Sequence, residues 1–289
     1  MPWTVWHFSA LFLAVGCFLL PYFQLRRKQR GPFHGSVDAA VKTRTVSIIP
    51  ASKKVKQPYD AFLVLDVEAT CEQGTTFDYP NEIIEFPVCL MRWKDRDGGT
   101  ASKLETVAEF RSFVKPSWRS NLSKFCTELT GITQDQVDAA PDFPAMLRFF
   151  RAFLVEHKLI EKSGKRRLRF CWCSDGPFDI RDFVVKQCFI SQIPFPDWMT
   201  GDVLDVRGPS DDSHVEKTHF GNTASARPVY QNSDIEYPGG IDDTRNLARI
   251  MTQLALEGVC LKPNTVINLR RRWVWMGRSG QILEEYLTC

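Results

Sequence analysis

Ala61-Phe62-Leu63-Val64-Leu65-Asp66-Val67-Glu68 decides the fold. Five consecutive apolar residues mark a strand buried on both faces, which calls for a sheet covered by helices. Two acids follow at once. Side chains two apart on an extended chain point the same way, so Asp66 and Glu68 share a face. In open α/β sheets, sites collect at the carboxyl ends of strands. Two carboxylates beside a hydrophobic core need a cation to hold them, and oxygen donors favour Mg²⁺ or Mn²⁺ over zinc.

Working outward, EIIEFPVCLM (82–91) and TVAEFRSFVK (106–115) are rich in β-branched and aromatic residues and predict two more strands. LRFCWC (168–173) predicts a fourth, with Cys171 and Cys173 pointing one way and Trp172 the other. Apolar periodicity predicts helices over 143–155, 178–189 and 242–256. The expected fold is a mixed α/β sheet flanked by helices. Asp175 follows the fourth strand and precedes a helix starting near Pro177, while Asp242 and Asp243 open the last helix, where one of them is expected to cap it. Asp66, Glu68, Asp175 and Asp243 together can hold two metals about 4 Å apart, the arrangement that hydrolyses phosphodiesters.

The chain has 289 residues, 44% hydrophobic and 25% charged, which suits one domain of roughly 200 residues plus appendages. A net charge of +3 does not by itself predict nucleic-acid binding. The basic islands at 53–56, 165–167 and 270–272 read singly as solvated faces, and beside a phosphodiesterase site as a surface that tracks a nucleic-acid backbone. Nine cysteines with no CxxC pair exclude the common zinc spacings and argue against a disulfide framework. Residues 1–24 form an apolar segment; Trp3 to Phe23 carries no formal charge and is long enough to cross a bilayer. The basic residues after it would keep the rest of the chain on the cytosolic side. Residues 25–57 read as a linker and 58–289 as the catalytic domain, with a polar insert over 207–238 that has no apolar periodicity.

Five segments carry a resemblance: LDVEATCEQG (65–74), NEIIEFPV (81–88), KFCTELTGITQDQVDAAPDFP (124–144), SDGPFDIRDF (174–183) and GIDDTRNLARI (240–250). They resemble the DEDDh 3′–5′ exonucleases, in the enhanced-RNAi branch that includes the 3′ histone-mRNA exonuclease. The resemblance implies a ribonuclease-H-like fold and a 3′–5′ exoribonuclease that releases nucleoside 5′-monophosphates. It also implies Asp66, Glu68, Asp175 and Asp243 as ligands of two Mg²⁺ or Mn²⁺ ions, with Glu68 and Ala69 touching the terminal nucleotide. Asp242, one place early, is expected to cap the helix, and Asp179 to support a helix start.

One position departs from the family. The general-base histidine should stand five residues before Asp243, where this chain has Pro238, and proline cannot take a proton. Tyr237 does not match the superfamily's tyrosine variant, whose place is held here by Gly239. Three readings stay open: a non-coding stretch translated into the chain, a weakened relative, or His214 or His219 acting from the insert. The expectation is metal binding with slow cleavage. The expected substrate is single-stranded RNA or an RNA 3′ end, with Trp118, Phe125 and Phe178 as candidate stacking surfaces. RNA-silencing proteins are expected partners, in the cytoplasm or nucleus or at a membrane with the nuclease facing the cytosol. The alternative function is an RNA-end-binding scaffold that does not cut.

Overall fold

β1 (Val55–Lys56) pairs antiparallel with β5 (Thr100–Ala101), and Gln57 beside it donates to the Val259 carbonyl and accepts from the Leu261 amide. The chain has therefore entered the fold before the end of the expected linker. The computed structural model describes residues 53–208 and 239–287. Residues 3–23, most of the linker, His214, His219, Tyr237 and Pro238 lie outside the described residues.

β2 (Ala61–Leu65) is fully buried along its whole length, as an uninterrupted apolar run requires. It pairs antiparallel with β4 (Ile83–Trp93) and parallel with β7 (Phe170–Ser174). β3 (Glu68–Ala69) continues beside β4 with a register shift between its two residues. β6 (Leu104–Phe113) covers the outer edge of β4, and β8 (Val203–Asp205) lies parallel to β7 on the far edge. The sheet is mixed, as expected.

Alternation along β2 and β7 divides the core. Leu63, Leu65 and Trp172 face α3 (Phe143–Glu156), which contributes Met146, Leu147, Phe150 and Leu154. Phe62, Val64, Cys171 and Cys173 face α5 (Gly240–Leu256), which contributes Leu247, Ala248, Met251 and Ala255. Each fully buried large aliphatic or aromatic side chain contributes about 1.5–3 kcal/mol of transfer free energy. The cap of α3 is Asp142, whose side chain accepts from the Ala145 amide at 2.8 Å. Two short helices, α1 (Lys124–Thr130) and α2 (Gln134–Asp138), were not predicted from periodicity. They are set by local caps: Ser123 accepts from the Cys126 amide, and Thr133 with Gln136 forms a reciprocal capping box.

The helix predicted over 178–189 opens instead as a π-helical turn, Asp179–Val184, and continues as α4 (Val185–Ile190). Such turns widen the helix and occur often at functional sites. Among the described residues no helix is long and apolar enough to cross a membrane.

Candidate active site

Asp66 leaves the carboxyl end of β2 and Glu68 opens β3, so the pair sits where the central strand stops and the chain changes register. The residue between them is fixed from outside: the Val67 amide donates to Asp179 Oδ1 at 2.9 Å. Asp179 is buried at the start of the π-helical turn. Burial pushes its carboxyl up, the Val67 amide pulls it back, and it settles at about 7. The sequence assigned Asp179 to helix support; the structure instead turns it back onto the Asp66–Glu68 segment.

Asp175 takes a different place. The chain turns at Gly176, at φ +92°, and the half-exposed Asp175 carboxylate pairs with Arg207 Nε at 3.0 Å. The same guanidinium donates to the Asp175 carbonyl and lies so close over Gly176 that a side chain there would collide with it. Burial still raises the Asp175 carboxyl while Arg207 lowers it. Asp175 therefore stands at the rim, and Asp179 holds the inner position.

The fourth acid arrives on α5. Gly240, its first residue, packs so tightly that a Cβ would stand 3.0 Å from the Asp66 carbonyl oxygen and 3.1 Å from Glu68 Cγ. Its amide donates to Glu85 Oε2 at 3.2 Å, and Glu85, fully buried, accepts from Arg111 Nε at 2.6 Å. This fastening sets Asp243, in the first helical turn, where its charge reaches Asp66 and Glu68. Asp242 does not cap the helix: the N-cap is Gly239, with no side-chain bond, and Asp242 pairs with Arg245 at 3.0 Å. Arg245 is held in place by Glu109, which it grips with Nε at 3.0 Å and Nη2 at 2.7 Å.

The electrostatics show what these acids do to one another. Burial, then the charges of Asp179, Glu68, Asp243 and Asp175, hold the Asp66 carboxyl well above its ordinary value. Burial, then Glu85, Asp243 and Asp179, push Glu68 up to about 8. Burial, then Asp242 and Asp175, raise Asp243. As they stand, no three His, Cys, Asp or Glu side chains among the described residues are gathered closely enough to hold an ion. The donor set nevertheless fits a hard divalent cation: it is all oxygen, concentrated in charge and partly buried.

Aromatic residues frame the mouth. Phe178, beside Asp179, stacks on the exposed Phe77 with centroids 5.1 Å apart at 13°. Phe77 was not singled out from sequence, because nothing local marks it. Its loop is clamped by the fully buried Lys186, whose ammonium donates to the carbonyls of Phe77 and Tyr79 and to Asn81 Oδ1. Trp118 tilts against Tyr79 under the Arg119 guanidinium and donates to Glu284, while Phe125 stands partly exposed on α1. The loop carrying Trp118 is tied to β4 by buried Glu82, which accepts the amides of Ser117, Trp118 and Arg119.

Comparison with known proteins agrees with this geometry. A family model described as Exonuclease matches residues 63–173. The 3′–5′ exonuclease eri1 of Schizosaccharomyces pombe is 34% identical over 76% of this chain and 74% of its own length. The rat 3′–5′ exoribonuclease 1 is 31% identical over 75% of this chain and 59% of its own, and the human one 30% over 71% and 55%. The chain thus spans little more than half the length of the mammalian relatives. Among solved structures, the nuclease domain of 3′hExo, a DEDDh family member bound to rAMP, superimposes with a TM-score of 0.59 at 28% identity, covering 74% of this chain and all of that one. A 3′-exonuclease recognising the histone mRNA stem-loop gives 0.60 at 29%, over 74% of this chain and 69% of that one. The chain belongs to the DEDDh 3′–5′ exonucleases, in the exoribonuclease branch that holds these relatives.

Proposed function

We propose that this chain shortens single-stranded RNA from its 3′ end by hydrolysing the terminal phosphodiester, releasing nucleoside 5′-monophosphates. The observation that carries the reading is the placement of Asp66 and Glu68 at the carboxyl end of β2, where burial and the charges of Asp179 and Asp243 hold both carboxyls up. A buried anionic cluster of this kind is built for cations. Family membership implies dependence on divalent metal. We assign two Mg²⁺ or Mn²⁺ ions to these four carboxylates, with Asp175 beside them at the rim under Arg207. When bound, the ions supply a water of lowered pKa and neutralise charge on the phosphate.

The chain's own residues do the positioning. Asp179 holds the Val67 amide and so fixes the spacing of Asp66 and Glu68. Glu85 and Arg111 fix the start of α5 and with it Asp243. Glu68 and Ala69 line the place of the terminal nucleotide, and the stacked Phe77 and Phe178 rings offer an apolar face to its base. The residue at the family's general-base position, Pro238, has no proton acceptor, so turnover is expected to be slower than in relatives with histidine by about 10²–10⁴.

The test uses single-stranded RNA labelled at its 5′ end. With Mn²⁺ the expected product is a ladder shortening one nucleotide at a time, lost in EDTA and in Asp66→Asn. Internal cuts, or shortening that survives Asp66→Asn, would refute the proposal. Membrane attachment through residues 3–23 and association with silencing proteins are further proposals, tested by carbonate extraction of membranes and by co-purification.

A further inference from the structure

A cavity of about 350 Å³ is lined in part by α4, the helix that continues the π-helical turn of Asp179. Val185, Cys188 and Phe189 of α4 form one wall, and Phe195 and Met276 supply more apolar surface. Its rim is the Arg270-Arg271-Arg272 run, which sequence alone reads as a solvated face. The structure gives these arginines three different settings.

Arg271 is neutralised: it pairs with the buried Asp182 and lies over the Trp273 ring at 4.7 Å. Arg272 is braced, donating to the Met276 carbonyl at 3.0 Å and the Gly277 carbonyl at 2.9 Å. That bracing lays its guanidinium over Phe189 at 5.0 Å, with carbonyls rather than a carboxylate as partners, so its charge is not cancelled. Arg270 is exposed; its backbone amide is held by Asn268 Oδ1 at 3.0 Å, and among the described residues its guanidinium has no acidic partner. The cavity therefore combines an apolar floor, a pre-oriented guanidinium plane and an uncompensated cation. Those are the features that bind a base by stacking and its phosphates by charge.

The placement favours the strand already engaged by the acids. Asp179 and Cys188 lie on one continuous helical run, at most about 13 Å apart along its axis, because the first turn is the wider π form. A stacked strand at roughly 3.4 Å per nucleotide covers that in about four nucleotides. We propose that the cavity is a second nucleotide site: a base upstream of the RNA 3′ end enters it, with Arg270 and Arg272 on the flanking phosphates. The identity of the strand rests on the exonuclease reading; the site itself does not require cleavage.

Binding of a fluorescent uridine trinucleotide and a uridine dodecamer to the full chain in EDTA tests this without turnover. The dodecamer should bind more tightly. Arg270→Glu should weaken the dodecamer about tenfold and lower its salt dependence by about one phosphate contact, leaving the trinucleotide within about twofold. Arg270→Lys should restore most of the affinity. An unchanged dodecamer affinity would assign the cavity to another occupant, such as a protein segment, and overturn the proposal. Equal losses on both lengths would also overturn it. If the wild type fails to shorten RNA with Mn²⁺ yet shows the length-dependent loss, the exonuclease reading falls and the cavity site stands.

Discussion

Gly240→Ala separates stability from activity, because two opposing terms meet at one methyl group. The new Cβ would stand 3.0 Å from the Asp66 carbonyl oxygen, 3.1 Å from Glu68 Cγ and 3.4 Å from Glu68 Oε1. A backbone oxygen at that distance cannot swing aside, so α5 or the Asp66–Glu68 segment must move by a few tenths of an ångström. Overpacking of this kind costs about 1–3 kcal/mol. Replacing glycine by alanine in a helix returns up to about 1 kcal/mol, and less at a first helical residue. The net loss is about 0–3 kcal/mol, a fall in Tm of up to about 12 °C at about 2–4 °C per kcal/mol for a domain of this size. Activity carries no compensating term. The displacement falls between Asp243 and the Asp66–Glu68 pair, and misplacement of reacting groups approaching 1 Å costs on the order of 10²-fold. Melting followed by circular dichroism and kcat/KM for RNA shortening with Mn²⁺ give the two readouts. Gly239→Ala is the control, since its Cβ would crowd only the half-exposed end of Arg111, at 3.2 Å, and would stand in ordinary contact with Glu85 at 3.7 Å. If Gly240→Ala kept kcat/KM within about threefold of the wild type, the close approach would not be what positions Asp243, and the reasoning would fail.

Asp179→Asn keeps an acceptor for the Val67 amide and removes a buried acid, so Tm should hold while kcat/KM falls about 10²–10³-fold; Asp175→Asn, at the rim, should lose about tenfold. The opposite ranking would return the inner position to Asp175. Glu68 is raised from 4.5 to about 8, so between those values the folded chain keeps a proton that the unfolded chain has released, and stability falls as pH rises through that window. The gain in Tm on adding Mn²⁺ should therefore be larger at the alkaline end of the window than at the acid end, and a pH-independent gain would contradict the assignment. Lys186→Met leaves two or three buried acceptors unpaired and should destabilise by about 2–4 kcal/mol while raising KM through the freed Phe77 loop, as measured by denaturant unfolding and steady-state kinetics. With Pro238 at the base position, the rate should keep climbing above neutral pH; a plateau near the ordinary histidine value of about 6.5 would instead identify His214 or His219 as the base.

The sheet was legible because burial on both faces forces an uninterrupted apolar run, and Ala61 to Leu65 is that run. Cys171 and Cys173 against Trp172 was legible by the same rule of alternation, and the two sides do enter different core clusters. The α1–α2 segment was not, since its helices are five to seven residues long and owe their limits to caps rather than to an apolar stripe. Arg166 looked like part of a basic surface, yet it is drawn inward to the Trp198 and Thr200 carbonyls and lies over Phe170 at 4.2 Å. Charge runs in sequence carry no sign of which member will find a carbonyl.

The acids divide along the same line. Asp242 and Asp243 could be told apart by helix phase. Asp243 lies one turn before buried Leu247, whereas Asp242 lies one turn before exposed Arg245 and pairs with it. Asp175 and Asp179 could not be. A rule that takes the first acid after a strand selects Asp175, and only the turn at Gly176 and the wide first helical turn decide that the later residue faces back to Val67. The difference between them is electrostatic. Arg207 pairs directly with Asp175 at 3.0 Å, while Asp179, buried, has the Val67 amide as its partner and feels Arg207 only as a weaker, more distant charge. A carboxylate already neutralised by arginine gains less from a cation than one raised by its neighbours. The inner position therefore goes to the buried acid that has no directly paired arginine.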